Sequence, residues 1–576
     1  MNKEFESFKK LSCIQLACSA LFTLLLINFS LDISLLAFPL ALAFSGILAF
    51  LLYNKIFKET DGSKAMAVLK LIQYLPYFLL ICFILRRAGK NGTPYFLDLV
   101  TVLLWAVIFV TSLMLSNKMN EKHIKKLTEG WTIKPEFKKP KGAGRIAYEV
   151  IDWLDALIWA IFTVMLFQIF VFQLYEIPSE SMVPTFLIKD RVIVSKIDCG
   201  PKFPLTNIGL PDFRKYKRGQ TIVLRNPHYS LDRKSEVKTV TSQLIYMLTF
   251  MTVNLNRDAD GELKADPLVK RICGIPGEQL VMQDGKLYAR TKNHDFEEVT
   301  LDNKFASWNL NDLQQGIKKK VQTFPLSASE YEQMLSFEEY RRNYDLTVAE
   351  FRAKEIVRNL QLITSGEAAA KIKSSESFKA PSLFEYTLFS TASETAYNII
   401  TKKDGLKWFS DFMTSWTASK NKERDLYAES NYRLNVMAKI AFGNIVLRTA
   451  ELQLSNAGKE SWSKDSVLSE NYELAQKLNW YIQSLLDERN MPLFPANDEN
   501  GNPQYIPNNC YFMMGDNRFN SLDLRHSYEQ TEKPLTPDDK NAITYYSMMA
   551  PQYVNKRYII GKPVYRFWPA TRRGKV

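Results

Sequence analysis

Five apolar runs fill most of the first 175 residues, and they constrain this chain more than anything that follows. They are Leu11 to Phe29, Ile33 to Tyr53, about Met66 to Leu85, Tyr95 to Leu115, and Trp153 to Phe172. Each is near the roughly 20 residues a helix needs to cross a bilayer. The first could be mistaken for a cleavable signal peptide, but the second follows almost at once, so a helical hairpin in the bilayer is the better reading. The third carries Lys70 and Pro76. It is the weakest span and leaves a tilted or partly interfacial course open. A multi-span α-helical membrane anchor is therefore expected over 1–174.

Charge orients that anchor. The loop 117–149 carries Lys118, Lys122, Lys125, Lys126, Lys134, Lys138, Lys139, Lys141 and Arg145, which predicts a cytoplasmic position. The fifth run then crosses outward and is expected to deliver everything from Tyr175 onward to the far, outer side of the membrane. Arg86, Arg87 and Lys90 disagree, because this order places them outside. The formal net charge of +13 could point to nucleic acid, but much of the excess sits between apolar runs, so no nucleic-acid partner is expected. The six cysteines show no C-x-x-C or metal spacing, and the four histidines are dispersed and read as surface residues. No metal and no cofactor is expected, and whether Cys273 or Cys510 forms a disulfide stays open.

Beyond the fifth run comes Tyr175 to Thr185, Y-E-I-P-S-E-S-M-V-P-T. Alone, two serines between prolines read as a surface turn. Phe186 to Ser195 and Arg218 to Pro227 read as strands, and L-V-K-R-I-C-G-I-P-G-E from Leu268 reads as a strand closed by a turn. Alternation puts Leu268, Lys270 and Ile272 on one face, so Lys270 has apolar neighbours. Val240 to Leu255 is an apolar run that fits a buried element and contact with the bilayer surface equally well.

Residues 293–504 read as a mostly helical, polar insertion between a first core segment, 175–292, and a second, 505–576. Thr347 with Glu350 predicts a capping box, and Leu474, Leu478, Tyr481 and Leu485 form an apolar helical stripe. In the second core segment, Cys510 to Arg525 reads as a short strand followed by a Gly515-Asp516-Asn517 turn.

A serine hydroxyl needs a base to become nucleophilic. Among the histidines, His526 alone is a plausible one; a buried lysine can also serve, once its pKa falls towards neutrality. Lys270 has the right neighbours. At this point P-S-E-S-M-V-P-T, R-G-Q-T-I-V-L-R-N-P, V-K-R-I-C-G-I-P-G-E and G-D-N-R-F-N-S-L-D-L-R, in that order after a span, resemble the sequence boxes of bacterial type I signal peptidases. The resemblance implies a mainly antiparallel, partly barrel-like β catalytic domain lying against the bilayer. It also implies an endopeptidase acting on preprotein substrates that carry signal peptides with small residues before the cut.

By residue, the resemblance makes Ser181 the nucleophile and Lys270 the general base. Ser179 and the Ser181 N–H would form the oxyanion hole, with Ser521 orienting the lysine amine and Asp523 and Arg525 supporting it. Met182, Pro184, Gly515, Asp516, Asn517 and Arg518 become structural neighbours of the site. Ile177 and Leu268 are pocket candidates by their adjacency to the dyad. Gln220, Glu278 and Leu524 depart from the family pattern, and Glu180 between the two serines has no evident role. The alternatives are a membrane scaffold that binds partners through the insertion and keeps a degenerate peptidase core, and a peptidase specialised for one precursor. No partner for the insertion can be named from its sequence.

Overall fold

A computed structural model describes all residues except 1–2, 121, 136–141, 213, 230–231, 250–251, 258–265 and 456. Lys138, Lys139 and Lys141 of the basic loop therefore lie outside the described residues, as do Phe250 and Met251 of the later apolar run.

Five helices are long and apolar enough to cross a membrane: Lys3–Leu25, Ile33–Lys58, Gly62–Ala88, Tyr95–Lys118 and Gly144–Phe170. The first starts earlier than the hydropathy predicts, because Phe5 and Phe8 also enter the bundle core. It also stops earlier, where Asn28, Ser30, Asp32 and Ser34 form a hydrogen-bonded turn into the next helix. The third helix, the weakest span by sequence, is the most buried of the five, with half of its apolar window inside the protein. Its polar residues explain this. Lys70 pairs with Asp155 of the fifth helix, the Tyr74 hydroxyl donates to the same carboxylate at 2.6 Å, and the Trp105 indole donates to the Pro76 carbonyl at 2.7 Å. By contrast, only 6% of the fifth helix's window is buried.

The fifth helix runs almost directly into the main sheet. Its strands are β1 (Phe172–Glu176), β2 (Arg191–Ser195), β3 (Thr221–Leu224) and β4 (Leu268–Gly274). A smaller sheet holds β5 (Gln279–Gln283), β6 (Lys286–Thr291), β7 (His294–Glu298) and β8 (Met491–Phe494), in the order β7-β6-β5-β8. The chain closes with β9 (Cys510–Met514), a hairpin of β10 (His526–Pro534) and β11 (Thr544–Met549), β12 (Val554–Asn555), β13 (Ile559–Trp568) and β14 (Gly574–Lys575). The main sheet is antiparallel throughout, in the order β1-β2-β13-β3-β4-β9-β12 with β14 beside β13, and curls into a half-barrel.

Both strands expected early in the core are shorter than their sequence pattern. Residues 186–190 turn instead, because the Asp190 carboxylate accepts the Leu187 N–H at 2.9 Å and Lys189 adopts a left-handed φ of 68°. The apolar run from Val240 is the end of a helix, Arg233–Leu248, whose Thr239 and Ser242 are buried.

The helical region packs around Leu426–Leu454, most of whose side chains are buried. Leu535, Ile543 and Tyr545 join the same core, which seats the helices on the β10–β11 hairpin. The helix Leu346–Thr364 is capped by Asp345, not by Thr347: its carboxylate takes the N–H groups of Thr347 and Val348. The cap thus sits two residues earlier than the sequence reading placed it, with a carboxylate taking the orphan donors. A full capping box does occur nearby, Ser327 with Glu330. Leu478, Tyr481 and Leu485 are buried as the stripe predicts.

Candidate active site

β4 carries Lys270 between β3 and β9, opposite Ile222 in register, and the side chain is buried. The turn after β1 carries Ser179 and Ser181. The Lys270 Nζ donates to the Ser181 Oγ at 2.9 Å, and the Ser179 hydroxyl lies 3.3 Å from the same oxygen. Burial strips the ammonium of water and pushes the Lys270 pKa down to about 8; the Asp523 carboxylate opposes that shift and Arg525 adds to it. The Ser181 N–H has no acceptor among the described residues and is free to meet a developing negative charge.

The chain from 515 to 525 forms the floor. Asn517 donates its N–H to the Ser181 carbonyl at 3.1 Å and its side-chain amide to the Glu180 carbonyl at 3.1 Å, which holds the serine turn from beneath. Gly515 passes so close that a Cβ there would fall on the Ser521 hydroxyl and the Ser181 carbonyl. The Gly515 N–H donates to Asp523 at 2.8 Å, and Asp523 is paired with Arg525 at 2.9 Å. Burial opposes ionisation of Asp523, but the Arg525 charge and hydrogen bonds outweigh it and hold the carboxyl well below the usual range. Asp516 takes a two-pronged pair from Arg271 at 2.6 and 2.7 Å and also receives the Thr185 hydroxyl. Arg518 reaches Asp302 at 2.7 Å.

The structure thus brings Ser179, Ser181, Lys270, Ser521 and Asp523 together. It gives the Ser521 hydroxyl no hydrogen-bond partner among the described residues, so no contact with the lysine amine is formed. Met182 and Ile177 are buried with Phe186 and Val192, and Pro184 follows in the same turn. Ile177, Met182 and Leu268 line a cleft of about 940 Å³ together with Ser181 and Lys270. Val164 and Gln168 at the end of the fifth helix line it too, as does Tyr246.

His526 departs from its expected surface position: it is buried, with its Nε2 3.3 Å from the Asp487 carbonyl. Burial, aided by Arg525, pushes its pKa down to about 4. All six cysteines are free. Among the departures from the family pattern, Glu278 pairs with Arg218, Gln220 accepts the Lys217 N–H at 3.2 Å, and Leu524 is buried in the sheet's core.

Sequence reasoning found no role for Glu180, and the fold supplies one. Its buried carboxylate accepts the backbone N–H groups of Gln322 at 2.5 Å and Thr323 at 3.0 Å, tying the helical region to the serine turn. Charge-assisted bonds of this kind contribute about 1.5–3 kcal/mol each. Glu180→Ala is expected to lower stability by about 1–3 kcal/mol and to speed amide exchange at Gln322 and Thr323. Hydrogen-exchange mass spectrometry that finds the 318–326 segment equally protected in the variant would remove the clamp.

Residues 150–342 match the family model described as signal peptidase, peptidase S26. Among curated proteins, a signal peptidase I of Buchnera aphidicola subsp. Schizaphis graminum is 34% identical over 79 residues, 14% of this chain and 25% of that protein. Signal peptidase I P of Bacillus subtilis subsp. natto is 26% identical over 159 residues, 27% of this chain and 58% of that protein. Signal peptidase I of Haemophilus influenzae is 26% identical over 133 residues, 23% of this chain and 36% of that protein. The chain therefore spans between a quarter and about three-fifths of the length of these relatives. No solved structure matches the chain significantly. Together with the apolar helices, these similarities make it a membrane protein. The similarity to the signal peptidase, peptidase S26, family thus lies in residues 150–342, the segment that carries Ser179, Ser181 and Lys270.

Proposed function

We propose that this protein is a membrane-bound serine endopeptidase that removes N-terminal signal peptides from exported preproteins, with Ser181 as nucleophile and Lys270 as general base. The observation that carries the reading is the 2.9 Å contact between the Lys270 amine and the Ser181 hydroxyl at a buried site. A neutral Lys270 takes the hydroxyl proton as Ser181 attacks the scissile carbonyl. The ammonium so formed then protonates the leaving amine. The Ser179 hydroxyl and the Ser181 N–H face the forming oxyanion. Ile177, Met182 and Leu268 offer an apolar surface to the small residues before the cut.

The anchor, 1–174, is multi-pass in this reading, with the catalytic core outside. That core is split into 175–292 and 505–576 by the helical insertion 293–504. The arginines that oppose this orientation by sequence are tied down. Arg87 is buried against Asp98 at 2.6 Å, and Arg86 reaches the Asn91 carbonyl, so neither counts as a free loop charge. A formed dyad argues against a degenerate core.

Cleavage of a signal-bearing precursor by the full chain in proteoliposomes tests the proposal, and no cleavage of any such precursor overturns it. The dyad also predicts a pH profile. The Lys270 pKa is lowered to about 8, and only its neutral form is a base, so kcat/KM rises with pH with a midpoint near 8. A profile that is flat through this region, or that falls, counts against lysine as the base.

A further inference from the structure

A second cavity, about 540 Å³, lies beside the cleft where the third, fourth and fifth helices meet the main sheet. Lys196, Lys202, Arg225, Arg233 and Arg557 line it, opposed by Asp98 and Glu236. Both acids are already engaged, Asp98 by Arg87 at 2.6 Å and Glu236 by Arg225 at 3.4 Å. Lys196, Lys202, Arg233 and Arg557 have no carboxylate within ion-pair distance among the described residues. Arg233 donates its Nε to the Gly89 carbonyl at 2.6 Å, while its Nη2 is buried without a hydrogen-bond partner among the described residues.

These cations destabilise one another. Burial, reinforced by Arg225, lowers the Lys196 pKa to about 8, and burial with Arg557 and Arg225 lowers that of Lys202. A cavity that gathers positive charge and desolvates it favours an anion. Met165, Ile169 and Phe203 make part of its wall apolar, and the fifth helix beside it exposes Leu157, Trp159 and Phe167. The geometry points to a site for the phosphodiester headgroup of an anionic phospholipid, with its acyl chains lying along the exposed face of the fifth helix. Guanidinium and ammonium groups supply the charge-assisted bonds that a phosphate takes. Gln168, Gln173 and Gln243 line both this cavity and the cleft, so a bound lipid would brace the membrane end of the cleft without touching Ser181 or Lys270.

Native mass spectrometry of the full chain, released from detergent in the presence of phosphatidylglycerol, phosphatidylcholine or inorganic phosphate, tests this independently of peptidase activity. Selective retention of phosphatidylglycerol is expected. A double variant, Lys202→Gln with Arg557→Gln, is expected to weaken it roughly tenfold or more. Lys202 and Arg557 are exposed as whole residues, and only the Lys202 ammonium end is partly desolvated, so thermal unfolding should not move. Lys196→Met, which keeps the stem and removes the charge, gives an independent reading in the same direction. Equal retention of the two lipids, or unchanged retention in these variants, overturns the site. Complete displacement of the lipid by millimolar inorganic phosphate overturns the lipid assignment in favour of a free anion.

Discussion

Ser181→Ala and Lys270→Met are each expected to reduce precursor cleavage by roughly 10⁴–10⁶-fold while leaving the protein folded. The serine change removes the attacking oxygen, and among the described residues no other hydroxyl takes a hydrogen bond from the lysine amine. The lysine change removes the base while keeping an apolar stem at a buried position paired with Ile222 across the sheet. Methionine is preferred to alanine at this position because alanine would open a cavity in the sheet and confound activity with stability. An uncharged side chain at a fully enclosed position also escapes the desolvation penalty that lowers the lysine pKa, so unfolding temperatures at or above the parent's are expected. Residues that act as a unit are not additive, so the double variant should be scarcely slower than either single one. Cleavage of a signal-bearing precursor at parental rate by either variant would remove the dyad assignment.

Gly515→Val is expected to lower cleavage by about 10²-fold or more and to destabilise the protein by about 1–3 kcal/mol. The backbone at this strand end lies against the Ser521 side chain and the Ser181 carbonyl, and an added Cβ meets both. One of those atoms is backbone of the nucleophile turn itself, so relief requires moving Ser181 away from Lys270. A displacement near 1 Å costs on the order of 10²-fold in rate. Gly316→Val is the comparison, since a Cβ there meets nothing within 4 Å and its backbone is not left-handed. Rates and unfolding temperatures measured for the pair separate crowding at the site from a general loss of glycine. A Gly515 variant indistinguishable from the Gly316 one would show that the turn has slack the packing does not reveal.

Some of this was legible in the residues and some was not. Hydropathy located all five long helices because burial in a bilayer demands a continuous apolar stretch, a property local to each segment. It ranked the third weakest for its Lys70 and Pro76, and these positions make contacts with the fifth and fourth helices inside the bundle. Ordered boxes brought Ser181, Lys270 and the 515–525 turn to attention, although the family match ends at residue 342 and leaves that turn outside it. Glu180 stayed opaque because its partners are the N–H groups of Gln322 and Thr323, over 140 residues away and with no side-chain signature. His526 resembled a surface residue for the same reason, since nothing near it in sequence announces the element that covers it.

By itself, then, the sequence determined the apolar anchor, the alternating strand beneath Lys270 and the residue types capable of serine chemistry, because hydrophobic period and chemical type are properties of neighbours in the chain. The tertiary structure alone decided that the Lys270 amine stands 2.9 Å from the Ser181 hydroxyl, that the turn at Asn517 holds that serine from below, and that a helical region of some two hundred residues is fastened to the same turn through Glu180. Those are pairings between distant segments, and they exist only once the half-barrel has closed and removed the intervening water.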